Sequence, residues 1–177
     1  YIVAGYAESS DGDVSKNKGS YDYWILKLRA DGEIEWEKSY GGSDTDIARS
    51  IQQTSDGGYI VGGYTYSNDG DVSENKGAYD NWILKLTANG ELDWEKSFGG
   101  DKNDRVHTIR QTADYGYILG GWTESSNGDI SENKGVLDYW IIKLRPDGSL
   151  EWEKSYGGSE SEEANSVQQT SDGGYIV

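Results

Sequence analysis

Cysteine is absent from this chain, histidine occurs once (His107) and proline once (Pro146). Without cysteine there is no disulfide framework, so stability has to come from sheet packing, bound metal or neighbouring structure. One histidine and no thiol leave no material for a His-based catalytic triad or a His- and Cys-rich transition-metal centre. The near-absence of proline excludes a Pro-rich linker. No apolar stretch approaches the length of a membrane span, and no segment repeats its apolar residues with a helical period. Positive charge is short as well: 16 Lys and Arg stand against 32 Asp and Glu, a formal net charge of −16. Such a chain repels polyanions, and it has no basic run to offset this, so nucleic acid is not an expected partner.

Glycine (25), tyrosine (14) and tryptophan (7) are abundant. They are the material of tight turns and of an aromatic core spread over short strands. They also recur at a fixed interval. Tyr1-Ile2-Val3 returns as Tyr59-Ile60-Val61, Tyr117-Ile118-Leu119 and Tyr175-Ile176-Val177, an offset of 58 each time. Trp24, Trp82 and Trp140 share one phase, and Trp36, Trp94 and Trp152 another. The chain divides into three tandem repeats, 1–58, 59–116 and 117–174, with the start of a fourth at 175–177.

Each period holds four strand-like runs. In the second these are Ala48–Thr54, Tyr59–Tyr64, Asn81–Leu86 and Leu92–Phe98. Tight turns at Ser55–Gly58 and Ala88–Gly90 alternate with a long polar loop, Ser67–Gly77, and a Gly-Gly linker, Gly99–Asp104. Four short antiparallel strands per repeat predict an all-β fold of β-propeller blades. A parallel solenoid is the competing architecture. The strings Ser55 to Tyr64, Trp82 to Leu86 and Trp94 to Gly100 resemble the blades of secreted or surface-anchored propeller proteins of bacteria and archaea. That resemblance implies a secreted or cell-surface location and a WD40-like strand order. The innermost strands would then be Ala48–Thr54, Val106–Thr112 and Ala164–Thr170, and the outermost Ile34–Tyr40, Leu92–Phe98 and Leu150–Tyr156. Three blades are too few for an ordinary ring, and the repeat is out of phase with the blade. The chain is therefore expected to be a segment of a longer array, or a unit that closes a propeller by pairing with itself. Its first residues, Tyr1-Ile2-Val3, do not read as a signal peptide.

The long loop carries the strongest chemical pattern. The first repeat places Asp11, Asp13, Ser15, Asn17 and Asp22 at positions 1, 3, 5, 7 and 12. The second places Asp69, Asp71, Ser73, Asn75 and Asp80 there, and the third Asn127, Asp129, Ser131, Asn133 and Asp138. Alternating hard oxygens on a curled loop suit calcium (Ca2+), although the glycine and glutamate positions of an EF-hand are not matched. The same residues suit turn-forming hydrogen bonds. Both readings remain open on the sequence alone. Tyr21, Tyr23, Tyr79 and Tyr139 border this loop and are candidate exposed aromatics for a ligand. Carboxylates are plentiful, but every repeat carries the same set, whereas catalysis calls for an asymmetric constellation. The expected function is therefore non-enzymatic: binding, adhesion or spacing, with proteins or glycans as partners. A multivalent lectin is the alternative, and a hydrolase or lyase with a central-channel site a third possibility. The face bearing the long loops is where function is expected.

Overall fold

The computed structural model describes all residues from 1 to 177. The fold is all-β, without a helix, and every sheet is antiparallel. Strands β1 (Ile2–Ala7), β2 (Asp22–Leu28) and β3 (Ile34–Tyr40) form a three-stranded sheet. Strands β4 (Asp46–Gln53), β5 (Tyr59–Thr65), β6 (Asp80–Leu86) and β7 (Leu92–Phe98) form a four-stranded meander. The next four, β8 (Asp104–Gln111), β9 (Tyr117–Thr123), β10 (Asp138–Leu144) and β11 (Leu150–Tyr156), repeat it. A two-stranded ladder follows, β12 (Gln168–Gln169) with β13 (Tyr175–Ile176). The strand expected over Ala164–Thr170 is short because only Tyr175 and Ile176 lie opposite it to complete the ladder.

The apolar residues form these sheets because alternate side chains serve two different cores. On β5, Tyr59 and Val61 join Tyr23, Ile25 and Tyr40 of the preceding sheet, while Ile60 joins Val106, Ile109 and Leu119 of the following one. Every residue of β5 and β6 is therefore buried, unlike the edge strand β7. The tryptophans tie the sheets together. Trp82 packs edge-on to Tyr23 at 4.7 Å between ring centres, Trp36 to Tyr59 at 5.8 Å and Trp94 to Tyr117 at 5.9 Å. Burial of a side chain of this size contributes several kcal/mol, on the order of 3–5 by truncation.

The sheets stand side by side, with β4 next to β8. Side chains bridge those two strands: the backbone N–H of Ile109 donates to Ser50 Oγ (3.2 Å), and that of Gln111 to Gln52 Oε1 (2.7 Å). A bulge interrupts β4 between Ala48 and Ser50, and β8 between Val106 and Thr108. Arg49 and His107 are the residues so displaced.

Candidate functional site

The acidic loops act between sheets. Asp69 Oδ1 accepts the backbone N–H of Ser43 (2.7 Å), and Asp71 Oδ2 accepts that of Gly41 (3.1 Å). Lys18 adds an ion pair to Asp71. The next loop repeats the arrangement: Asn127 Oδ1 holds the N–H of Asp101 (3.0 Å), and Asp129 Oδ2 holds Gly99 (3.0 Å) and Lys76 Nζ (2.6 Å). The linkers are glycine because these loops lie against them. A β-carbon on Gly42 would meet Asp69, and one on Gly100 would meet Asn127 Oδ1 at 2.5 Å. Asp11 and Asp13 of the first loop are exposed.

The other loop oxygens are also engaged. Ser15 and Ser73 donate to Glu37 and Glu95, and the N–H of Ser131 donates to Glu153 (3.3 Å). The same glutamates accept the indole N–H of Trp24 (3.0 Å), Trp82 (2.8 Å) and Trp140 (2.8 Å). Asn17, Asn75 and Asn133 each accept the N–H of a glycine two residues on (Gly19, Gly77 and Gly135) and donate to Ala7, Thr65 and Thr123 carbonyls. Val14, Val72 and Ile130 plug each loop into the core. The loops thus do not converge on a shared centre, and no group of three or more His, Cys, Asp or Glu side chains is placed to hold a metal ion.

Position 12 is a different environment. Asp22, Asp80 and Asp138 are fully buried, each with Oδ2 accepting a loop N–H (Lys18, Lys76 or Lys134) and Oδ1 without a partner. A second acid lies against the same linker glycine: Asp46 beside Asp22, Asp104 beside Asp80 and Glu162 beside Asp138. Asp46 and Asp104 are satisfied by Thr65 and Ser67, and by Thr123 and Ser125. Burial pushes Asp80 up to about 6, with the nearby charge of Asp104 acting in the same direction. Burial raises Asp22, Asp46 and Asp104 too.

The four tyrosines part company. Tyr23 is not an exposed aromatic: it is completely buried between sheets, donating its hydroxyl to the Trp82 carbonyl (2.9 Å). Its ring points inward because residues of β2 alternate faces and this one falls on the core side. Tyr21, Tyr79 and Tyr139 stay partly accessible. Tyr79 stacks with exposed Tyr66 at 5.1 Å.

Pattern reading missed a second region. Three of the five arginines, Arg49, Arg105 and Arg110, and the only histidine lie on β4 and β8. No arginine in the chain is ion-paired; every ion pair uses lysine. At the loop end, the Arg105 guanidinium sits 4.6 Å from the Tyr64 ring, 4.4 Å from Tyr79 and 5.3 Å from Trp122. Arg49 donates to Tyr64 Oη (2.9 Å). His107, two residues along β8 from Arg105, is held below the ordinary imidazole range, chiefly by burial and further by the charge of Arg49 and Arg105, against an opposing pull from Glu163. At the other end, beside the short turns, a cleft of about 500 Å³ opens. Gln52, Arg110, Gln111, Ser166, Gln168 and Gln169 supply its polar lining. The sequence contains no basic run because these cations are spaced along two strands 58 residues apart and meet only when the strands align.

Comparison of the chain with protein-family models gives no match, and comparison with curated proteins gives none.

Proposed function

We propose that this chain is a run of β-propeller blades serving as a non-enzymatic, secreted or cell-surface module for binding or spacing. In this reading each acidic loop is the clasp that joins its blade to the one before. The meander order and the adjacency of β4 and β8 support the propeller geometry, with those strands innermost. The observation that carries the clasp is the use of Asp71 and Asp129, each taken up by a glycine N–H and a lysine of the neighbouring sheet. Adjoining blades are the natural partners, either along the same chain or from a second copy, because the outer edge of β1 offers the backbone that β5 offers to β4. The sameness of the three repeats supports a role without catalysis.

Calcium ordering of the same loops is the second reading. It is favoured by the unpartnered Oδ1 atoms of Asp22, Asp80 and Asp138, each next to another acid. Melting in excess calcium and in excess chelator separates the two. A direct clasp leaves Tm unchanged, whereas ion binding raises it in proportion to the logarithm of free calcium. The multivalent glycan reading finds better support in the cleft beside the short turns than in the loops.

A further inference from the structure

We propose that the cleft between the innermost strands binds a carboxylate-bearing sugar, a single uronic acid residue. The inference deepens the binding reading above and rests on its side-by-side blades, but not on the acidic loops, which lie at the opposite end of the strands.

The argument begins with the glutamines. A backbone N–H can only donate, so a glutamine facing one must turn its carbonyl oxygen toward it. Gln52 Oε1 faces the N–H of Gln111 (2.7 Å), Gln111 Oε1 that of Ser55 (2.8 Å) and Gln169 Oε1 that of Ala113 (2.9 Å). Three side chains that line the cleft are thereby oriented by neighbouring sheets, and the group each has left to offer is its NH2. Arg110 completes the set. It donates from one terminal nitrogen to Ser50 Oγ (3.1 Å) and the Ile109 carbonyl (2.7 Å), which fixes the guanidinium in place, and it has no carboxylate partner. Two acids of the adjoining turns are already neutralised, Asp56 by Lys85 (2.9 Å) and Asp114 by Lys143 (2.9 Å), and Asp172 of the third turn is taken up by the Thr170 hydroxyl and the Gly174 N–H (3.1 Å).

The cleft is consequently lined with hydrogen-bond donors, and Arg110 is the one charged side chain of that lining, inside a chain whose formal charge is −16. Its complement is an oxyanion surrounded by further acceptor oxygens. A carboxylate matches the fork of Arg110, and ring hydroxyls supply acceptors to the amides. Val167 is the one apolar side chain of the lining, so there is little surface to hold an apolar or peptide anchor. The volume suits one or two sugar rings.

Titration of the whole chain with D-glucuronate, D-glucose and sodium sulfate, followed by amide NMR, tests the proposal. Glucuronate is expected to shift the side-chain NH2 signals of Gln52, Gln111, Gln168 and Gln169, with glucose binding at least tenfold more weakly. Arg110→Gln should weaken glucuronate about tenfold or more. Gln168→Ala, at an exposed residue whose side chain makes no hydrogen bond, should weaken it severalfold in a protein that folds normally. Equal binding of glucose, binding of sulfate as strong as that of glucuronate, or unchanged affinity in both variants would overturn the assignment. So would a well-dispersed spectrum that no probe perturbs. Failure of the underlying blade arrangement shows separately, as loss of nuclear Overhauser contacts between Ser50 and Ile109 before any ligand is added.

Discussion

Asp129 holds Gly99 and Lys76 of the neighbouring sheet at once, and its side chain is only about one-quarter exposed. Replacing it with alanine removes a charge-assisted hydrogen bond and a half-buried ion pair. Asp129→Ala is expected to lower stability by about 1–2 kcal/mol in urea denaturation, and an unchanged midpoint would dismiss the clasp. Asp80 is the opposite case. Its folded-state pKa of about 6 lies above the ordinary carboxylate value. Between about pH 4 and 6 the folded state retains a proton the unfolded state has lost, so stability falls as pH rises through that window. Asp56 and Asp114 are held down at about 2, first by hydrogen bonds from Thr54 and Thr112 and then by Lys85 and Lys143. Their contribution disappears as pH falls from about 4 toward 2. Together these groups place maximum stability near pH 4. Asp80→Asn should flatten the decline toward neutrality and stabilise the protein at pH 7 by on the order of 1–2 kcal/mol. Denaturation curves at pH 4, 5.5 and 7 check this, and a variant less stable at pH 7 would contradict it.

Two features matter at the level of the strand and turn. The turn leading into the second strand of each sheet is built by Gly57 (φ 84°) and again by Gly173 (φ 88°), but the middle copy uses Tyr115 at φ 66°. A side chain in the left-handed region is strained by roughly 1–2 kcal/mol, and this residue is 63% exposed. Tyr115→Gly is therefore expected to raise the melting temperature, with a net gain of about 0.5–1 kcal/mol after the extra freedom of glycine in the unfolded chain. Gly121 is constrained by close approach. A β-carbon there would collide with the Arg105 carbonyl and lie 2.8 Å from Val106 Cα, both backbone of the bulged strand β8. Backbone cannot swing aside as a side chain can, so Gly121→Ala should cost about 2–4 kcal/mol and disturb the Arg105 cluster.

Across the whole molecule the balance is between aromatic cores, shared by successive sheets, and a large excess of negative charge. The cores hold the sheets in order, while the charge works against compactness. Added NaCl screens that repulsion. With chelator present to remove divalent ions, the melting temperature is expected to rise between low and moderate salt. A fall would mean that the lysine clasps outweigh the general repulsion. The same salt should weaken glucuronate, since Arg110 and the sugar acid attract one another.

Much of this was legible in the amino-acid order. The 58-residue period, the four strands of each unit and the glycine turns follow from local rules: alternation of side chains, turn geometry and β propensity act over a few residues. The strand expected from Leu92 to Phe98 is found with those bounds, and that from Ala48 begins two residues earlier, at Asp46. The loop pattern marked the right residues, but its chemistry was ambiguous, because Asp69 or Asp71 is an equally good oxygen for a cation or for an N–H. Only the neighbouring sheet supplied Gly41, Ser43 and Lys18 as the groups those oxygens meet. Tyr23 was misplaced for a related reason: a tyrosine next to a polar loop is exposed or buried according to which sheet lies over it. The donor-lined cleft was invisible in the sequence because its members come from three repeats and become donors through hydrogen bonds to other strands. Short-range physics determines the elements, and the side-by-side placement of the sheets decides which side chains share a site.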